Sequence, residues 1–303
     1  MSKLAAAIYK KTDGDWDLPW VSAFNNGLKR HGVATKIYDA RPKHDVVDAD
    51  VHVFWGMGAA EVIAHCRKTG QPFVCLDHGF TEDRDDFTAI NLNGLNGRSQ
   101  LDVSSFAHDN SRCLKHGWEI KKRGKLGDKI IIVGQVSNDR SLEGADIFAW
   151  ANTQIAELAA EGRKDGIYFK PHPLDWRGGD RYKTVKAPTF TGSMEEAFEI
   201  AETFRTYSST VGSTAWQNGV PATAASPVSM IYEAQFKDGN PNNKQEWLNG
   251  LSYRQYNPEE MDSGTTWALL ADQIVGSSAK APAPRTTGKS VVRGLVEAFK
   301  SKM

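Results

Sequence analysis

The chain has 303 residues, 40% of them apolar and 24% charged, enough to build the cores of about two ordinary globular domains. Lys+Arg and Asp+Glu number 37 each, so the net charge is zero; this excludes capture of a polyanion by bulk charge but not by a local basic patch. No apolar run approaches the length of a membrane span, and three cysteines (Cys66, Cys75, Cys113) without CxxC spacing predict neither a disulfide framework nor a zinc ribbon.

The first residues are too briefly apolar for a signal peptide, so the expected compartment is the cytoplasm, or a host's cytoplasm if the chain is phage-encoded. Residues 4–9 read as a strand. Asp17-Leu18-Pro19-Trp20 then opens a helix with Trp20, Phe24 and Leu28 on one face and Gly32 at its end. Strands follow at 33–38 and 51–55, a helix runs from Gly56-Met57-Gly58 to about Arg67, and a fourth strand over 72–76 ends at Asp77-His78-Gly79. Residues 98–129 are polar, basic from Arg112 on, and interrupt the pattern. The alternation restarts with a strand at 129–133, a helix at 147–161, a strand at 167–169, a helix at 195–200, a strand at 203–206, a helix at 212–218 and a final strand at 220–224. A Pro-rich linker (280–288) leads to an amphipathic helix over 289–302. Alternation of this kind predicts an α/β chain of two doubly wound Rossmann-like domains, residues 1–120 and 121–280, followed by linker and terminal helix, 281–303.

Ligands of such sheets bind just beyond the carboxyl ends of the strands. Four candidates stand there. Lys170-Pro171-His172-Pro173 clamps a histidine between prolines beside a cation, which suits a phosphate; a structural turn histidine is the alternative. Tyr207-Ser208-Ser209-Thr210 runs into a helix whose free N–H groups favour an anion, an ordinary hydroxyl cap being the simpler reading. Asp77-His78-Gly79-Phe80 would place a carboxylate across the cleft, where a general base is needed; alone, a loop-capping Asp explains it as well. Gly134-Gln135-Val136-Ser137-Asn138-Asp139-Arg140-Ser141 could line a ligand or simply turn the chain. Asp48-Ala49-Asp50 precedes a strand and reads as a solvated loop. Asp13, Asp15 and Asp17 lack the rest of a calcium loop.

In this order the four motifs resemble those of bacterial capsular polysaccharide Kdo transferases: an acidic-x-Gly-aromatic motif (Asp77–Phe80), a GQ-V-x-x-D-x-S loop (Gly134, Gln135, Val136, Asp139, Ser141), KPHP (Lys170–Pro173), and a Ser/Thr loop, helix and strand from Ser208 to Pro221. The last three are similar, more loosely, to bacterial sialyltransferases. The sequence departs from the capsule enzymes at His78, and Ser226–Met230 replaces an aromatic-rich stretch. The resemblance implies a GT-B fold, no cofactor and no metal, and an inverting transfer from a nucleotide-sugar co-substrate held mainly by the second domain. Asp77 would be the base; in related phosphotransferases of the teichoic-acid type that role would pass to His78. Lys170, His172, Ser208, Ser209 and Thr210 would bind the donor phosphate. Gly134, Gln135, Asp139 and Ser141 would line the donor side. The terminal helix would pack back on the first domain.

For the acceptor, residues 112–129 carry seven Lys/Arg, among them Lys121, Lys122, Arg123 and Lys125, and a second basic group follows at Arg285, Lys289, Arg293, Lys300 and Lys302. These suggest tracking of a phosphate backbone; similarity to the compact GT-B enzymes that glycosylate hydroxymethylated pyrimidines in phage DNA then implies such a base in double-stranded DNA as acceptor. A capsular or lipopolysaccharide glycan or glycolipid is the alternative, and a non-catalytic nucleotide-binding module is a third reading.

Overall fold

Residues 4–10, 19–39, 46–163, 165–236 and 243–276 are described by the computed structural model. Strands β1 (Ala5–Lys10), β3 (Val51–Trp55) and β4 (Phe73–His78) form where short apolar runs are buried on both faces, and β2 (Ala34–Asp39) is the more exposed edge. They pair in parallel in the order β4-β3-β1-β2. Helices α1 (Trp20–Arg30) and α2 (Ala60–Thr69) are the crossovers. A fifth strand, β5 (Thr88–Leu92), turns back antiparallel along β4, pairing Asp77 with Ala89 and Val74 with Leu92.

After the short helix α3 (Ser111–His116) the second sheet begins with β6 (Lys129–Val133), four-fifths Ile and Val and central in the order β7-β6-β8-β9. Its partners are β7 (Ile167–Lys170), β8 (Ala201–Thr206) and β9 (Ala222–Ala224), all parallel. The connecting helices are α4 (Ile147–Ala160), α5 (Met194–Ile200) and α6 (Val211–Gln217). Asp146 caps α4 by accepting from the Phe148 and Ala149 N–H groups, and Ser193 with Glu196 forms a capping box on α5. Two Rossmann-like α/β domains thus stand with strand ends facing one another, as expected. Among the described residues no helix is long and apolar enough to cross a membrane.

The expected span of the second domain, residues 121–280, does not hold to its end. Helix α7 (Asn243–Ser252) leads the chain back, and β10 (Gln255–Tyr256) adds antiparallel to β5 as the edge of the first sheet. Helices α8 (Pro258–Asp262) and α9 (Thr265–Gly276) then cover α1. Met261, Trp267, Leu270 and Ile274 are buried in the same core as Trp20, Phe24 and Leu28. The physical reason is an apolar stripe on α1 that its own domain leaves uncovered. α1 and α8 meet at Gly27, where a Cβ would lie 2.1 Å from the Met261 carbonyl oxygen. The predicted terminal helix and its basic residues fall outside the described residues, as do Asp13, Asp15 and Asp17. Among the described residues the return to the first domain is made by β10, α8 and α9.

A buried ion cluster locks this return. Arg112 reaches both Glu260 carboxylate oxygens at 2.9 Å and also donates to the Ser252 and Gln255 carbonyls. Lys115 and His116 add to Glu260 at 2.7 and 3.1 Å. Burial pushes the Glu260 carboxyl up, but the Arg112 and Lys115 hydrogen bonds outweigh it and hold the group at about 2.

Candidate active site at the domain seam

Asp77 ends β4. One carboxylate oxygen accepts from the His78 N–H at 2.8 Å. Burial raises the Asp77 carboxyl above the ordinary range, the Asp139 carboxylate of the second domain pushes the same way, and His78 and Arg84 pull it down. Asp77 thus feels the charge of Asp139 across the seam. The loop after Asp77 is braced from β10. Fully buried Gln255 accepts from the Phe80 N–H at 2.7 Å and donates to Thr81 Oγ1 at 3.0 Å. His78 lies edge-on to Trp55, ring centroids 5.2 Å apart, with Nδ1 3.2 Å from Asp85 Oδ1.

From the same loop Arg84 crosses to the second domain and donates to Thr210 Oγ1 at 3.1 Å. Beside it, Gln217 of α6 donates to the Phe80 carbonyl at 3.2 Å. The acidic motif and the Ser/Thr motif are thus docked on each other.

His172 follows β7. Its Nδ1 accepts from the Leu174 N–H at 3.1 Å, which leaves Nε2 as the protonated nitrogen of the neutral ring. Burial lowers its pKa; Asp139 and Asp175 oppose that, and Arg84 adds to it. His172 and Asp77 are both shifted by the charges of Arg84 and Asp139, so all four lie within electrostatic reach of the seam. Asp175, 3% exposed, ties the histidine loop to the Gly134 loop by accepting from Ser137 N–H and Oγ at 3.1 and 2.6 Å. At Gly134 a Cβ would sit 2.9 Å from Phe169 Cζ, so the β6 and β7 ends approach closely there.

The other expected residues divide. Gln135, Ser141 and Ser208 bond one another: the Gln135 amide nitrogen reaches the Ser141 and Ser208 hydroxyls at 3.1 and 3.0 Å, and Gln135 Oε1 accepts from Ser208 N–H at 2.8 Å. They build the floor of the loop. Asp139 is exposed at the start of a single helical turn, accepting from Ser141 N–H at 2.7 Å. Ser209 Oγ accepts from the Val211 N–H at 3.2 Å and Thr210 takes Arg84. α6 has only seven residues, so its N-terminus alone is a weak anion site. Lys170 does not join His172. Its ammonium donates to the Gly192 carbonyl and lies 5.2 Å from the Phe190 ring centroid.

The basic run is corrected most. Lys121 bonds Glu82 at 3.0 Å and Asn218 at 3.0 Å, a clasp between the domains. Arg123 donates to the Lys125 and Glu199 carbonyls, and Lys129 pairs with Asp128. With Arg112 and Lys115 on Glu260, five of the seven cations are spent internally, leaving Lys122 and Lys125 exposed. The patch expected to follow a DNA backbone is not assembled by these residues.

Arg84 and Gln255 escaped the sequence reading. Arg84 sits in Glu82-Asp83-Arg84-Asp85-Asp86, which reads as a solvated charged loop, and Gln255 is 178 positions beyond the Asp77 it braces. Asp175 was detectable, being three residues after His172.

No protein-family profile and no curated protein matches the chain. Solved structures do resemble it. A Thermosulfurimonas dismutans KpsC beta Kdo 2,4 transferase superposes with a TM-score of 0.52 at 13% identity, over 85% of this chain and 93% of that one. The beta Kdo 2,7 transferase of the same organism gives 0.48 at 15% identity, over 89% and 99%. The Methanocaldococcus jannaschii UDP-GlcNAc 2-epimerase gives 0.33 at 11%, over 89% and 99%. At these identities the first likeness speaks for the fold, which is of the GT-B kind; the other two add no argument.

Proposed function

We propose that this chain is an inverting glycosyltransferase that moves a sugar from a nucleotide-sugar to an acceptor hydroxyl, within capsular or lipopolysaccharide glycan synthesis. One observation carries the reading: Asp77 ends β4 of one domain, His172 follows β7 of the other, and Arg84 from the Asp77 loop bonds Thr210 across the seam between them at 3.1 Å. Asp77 takes the acceptor proton as the acceptor oxygen attacks the anomeric carbon. The bond from that carbon to the phosphate oxygen breaks, and its electron pair leaves with the nucleotide. His172 Nε2–H, Arg84 and the Thr210 hydroxyl then donate to the departing phosphate. Ser209 lies beside them, and Gln135, Ser141 and Ser208 hold the loop in shape. No metal takes part in this scheme. The sugar is of the Kdo or sialic type, the choice favoured by the motif resemblance and by the Kdo transfer carried out by the enzyme whose fold this chain resembles. A glycan acceptor replaces DNA because the basic run is internally paired.

The test is a panel of CMP-, CDP-, UDP- and GDP-sugars with glycan acceptors, with and without EDTA, read by product NMR. The expected result is one productive donor, an inverted anomeric centre and indifference to EDTA. Asp77→Asn should lose kcat by a factor of about 10²–10⁴ while still binding the nucleotide. Turnover that survives in Asp77→Asn but dies in His78→Ala would transfer the base role to His78. Binding of no nucleotide would end the transferase reading.

A further inference from the structure

A cavity of about 280 Å³ lies in the domain seam. Its first-domain wall is Met57 after β3, α2, and the loop leaving β5 with Gly94, Leu95 and Arg98. Its second-domain wall carries Arg140, Glu143 and Val228. Three guanidinium groups, Arg67, Arg98 and Arg140, line it against one carboxylate, Glu143; three positive charges less one negative leave a formal charge of +2. Arg98 bonds Glu143 at 2.7 Å through Nη2. Yet Arg98 Nε and Arg67 Nε are both buried with no hydrogen-bond partner. Buried N–H groups on guanidinium are costly to leave unsatisfied, and native proteins seldom do so. Between the arginines the wall is apolar, with Ile63 and Leu95.

We propose that this cavity binds a small organic dianion, a phosphate monoester, as a site separate from the cleft at Asp77 and His172. Its charge matches the +2 of the walls, since a phosphate monoester carries roughly −1.5 to −2 near neutral pH. Arginine forks suit phosphate oxygens, and the apolar wall suits a short carbon skeleton. Size fixes the class further. At about 280 Å³ the cavity falls at the lower edge of small-molecule pockets, room for a phosphate and a few carbons and too little for a nucleotide-sugar. Because both domains supply walls, the bound ester joins them at a further point, in addition to the Arg84–Thr210 and Arg98–Glu143 contacts.

The probe is glycerol 3-phosphate in a calorimetric titration at fixed salt, with inorganic phosphate and glycerol as comparisons. Saturable binding of glycerol 3-phosphate, weaker binding of phosphate and none of glycerol are expected. Arg140→Gln, at an exposed position whose change spares the fold, should weaken binding roughly tenfold, one charge-assisted hydrogen bond's worth. Glu143→Gln removes the competing carboxylate and should tighten it, a sign that loss of a merely structural pair would not produce. His172→Ala should leave it unchanged. Absence of saturable binding at millimolar ester, indifference to Arg140→Gln, or loss in His172→Ala would each overturn the proposal. The titration contains no donor, so it stands or falls apart from the transferase reading.

Discussion

Replacing Glu260 by Gln tests whether the returning segment is held by charge. The side chain is 8% exposed and faces Arg112, itself 9% exposed. Its carboxyl is lowered from 4.5 to about 2. At 1.36 kcal/mol per unit the depression corresponds to about 3 kcal/mol of folding stability. The sign follows from the lowered value. The unfolded chain binds this proton first, so the contribution is complete above pH 4.5 and is lost as pH falls toward 2. At pH 3 about 2 kcal/mol of it is already gone. Glu260→Gln keeps the shape but strands a buried guanidinium, so at pH 7 it should cost about 3–5 kcal/mol. The assay is guanidinium unfolding of both proteins at pH 7, 5, 4 and 3. Other carboxylates titrate alike in the two, and the difference between the curves isolates Glu260. The variant's deficit should shrink by about 2 kcal/mol between pH 5 and pH 3. A deficit under about 1 kcal/mol at pH 7, or one independent of pH, would refute the reasoning.

Arg84→Gln removes a cation that lowers the Asp77 pKa and a donor to Thr210. The acidic limb of the kcat/KM profile should move to higher pH and kcat should fall about 10²-fold; an unmoved limb would separate Arg84 from the base. Lys121→Ala breaks a half-exposed clasp, so urea unfolding should show a loss within about 1 kcal/mol and acceptor KM should stay constant. Gly27→Ala improves helix propensity yet drives a methyl into the Met261 carbonyl, and calorimetry should find a net loss of about 1–3 kcal/mol rather than a gain.

The strands that were legible are those whose burial is written locally. Ile130, Ile131 and Ile132 leave β6 no other place, and β1, β3 and β4 carry similar runs. β5 and β10 were missed because their pairing is long-range: Gln255 and Tyr256 become a strand only against Ala89 and Thr88. The same distance hid the fate of the basic run. Arg112 looks like a solvated cation until Glu260 arrives 148 residues later, and Lys121 until Glu82 folds over it. Asp77, His172 and Thr210 could be placed just beyond strand ends because the end of a parallel strand is a place that sequence periodicity locates. Arg84 was not, since nothing in an acidic loop says which charge will cross the seam.

That crossing bears on how a phosphate could leave without a metal. On the proposed reading the second domain offers few cations of its own at the site. Lys170 is turned to Gly192, and burial keeps His172 toward its neutral form, with Nδ1 already accepting. His172 can give a proton-bearing Nε2 but no full charge. Asp139 adds negative charge nearby. The positive charge opposite the departing phosphate therefore has to come from Arg84, a residue of the acceptor-side domain. Charge stabilisation of the leaving group and placement of the base Asp77 then depend on the same loop, braced by Gln255 from the returning chain. On that reading a domain pair held apart would lose both at once, which confines bond breaking to the docked state.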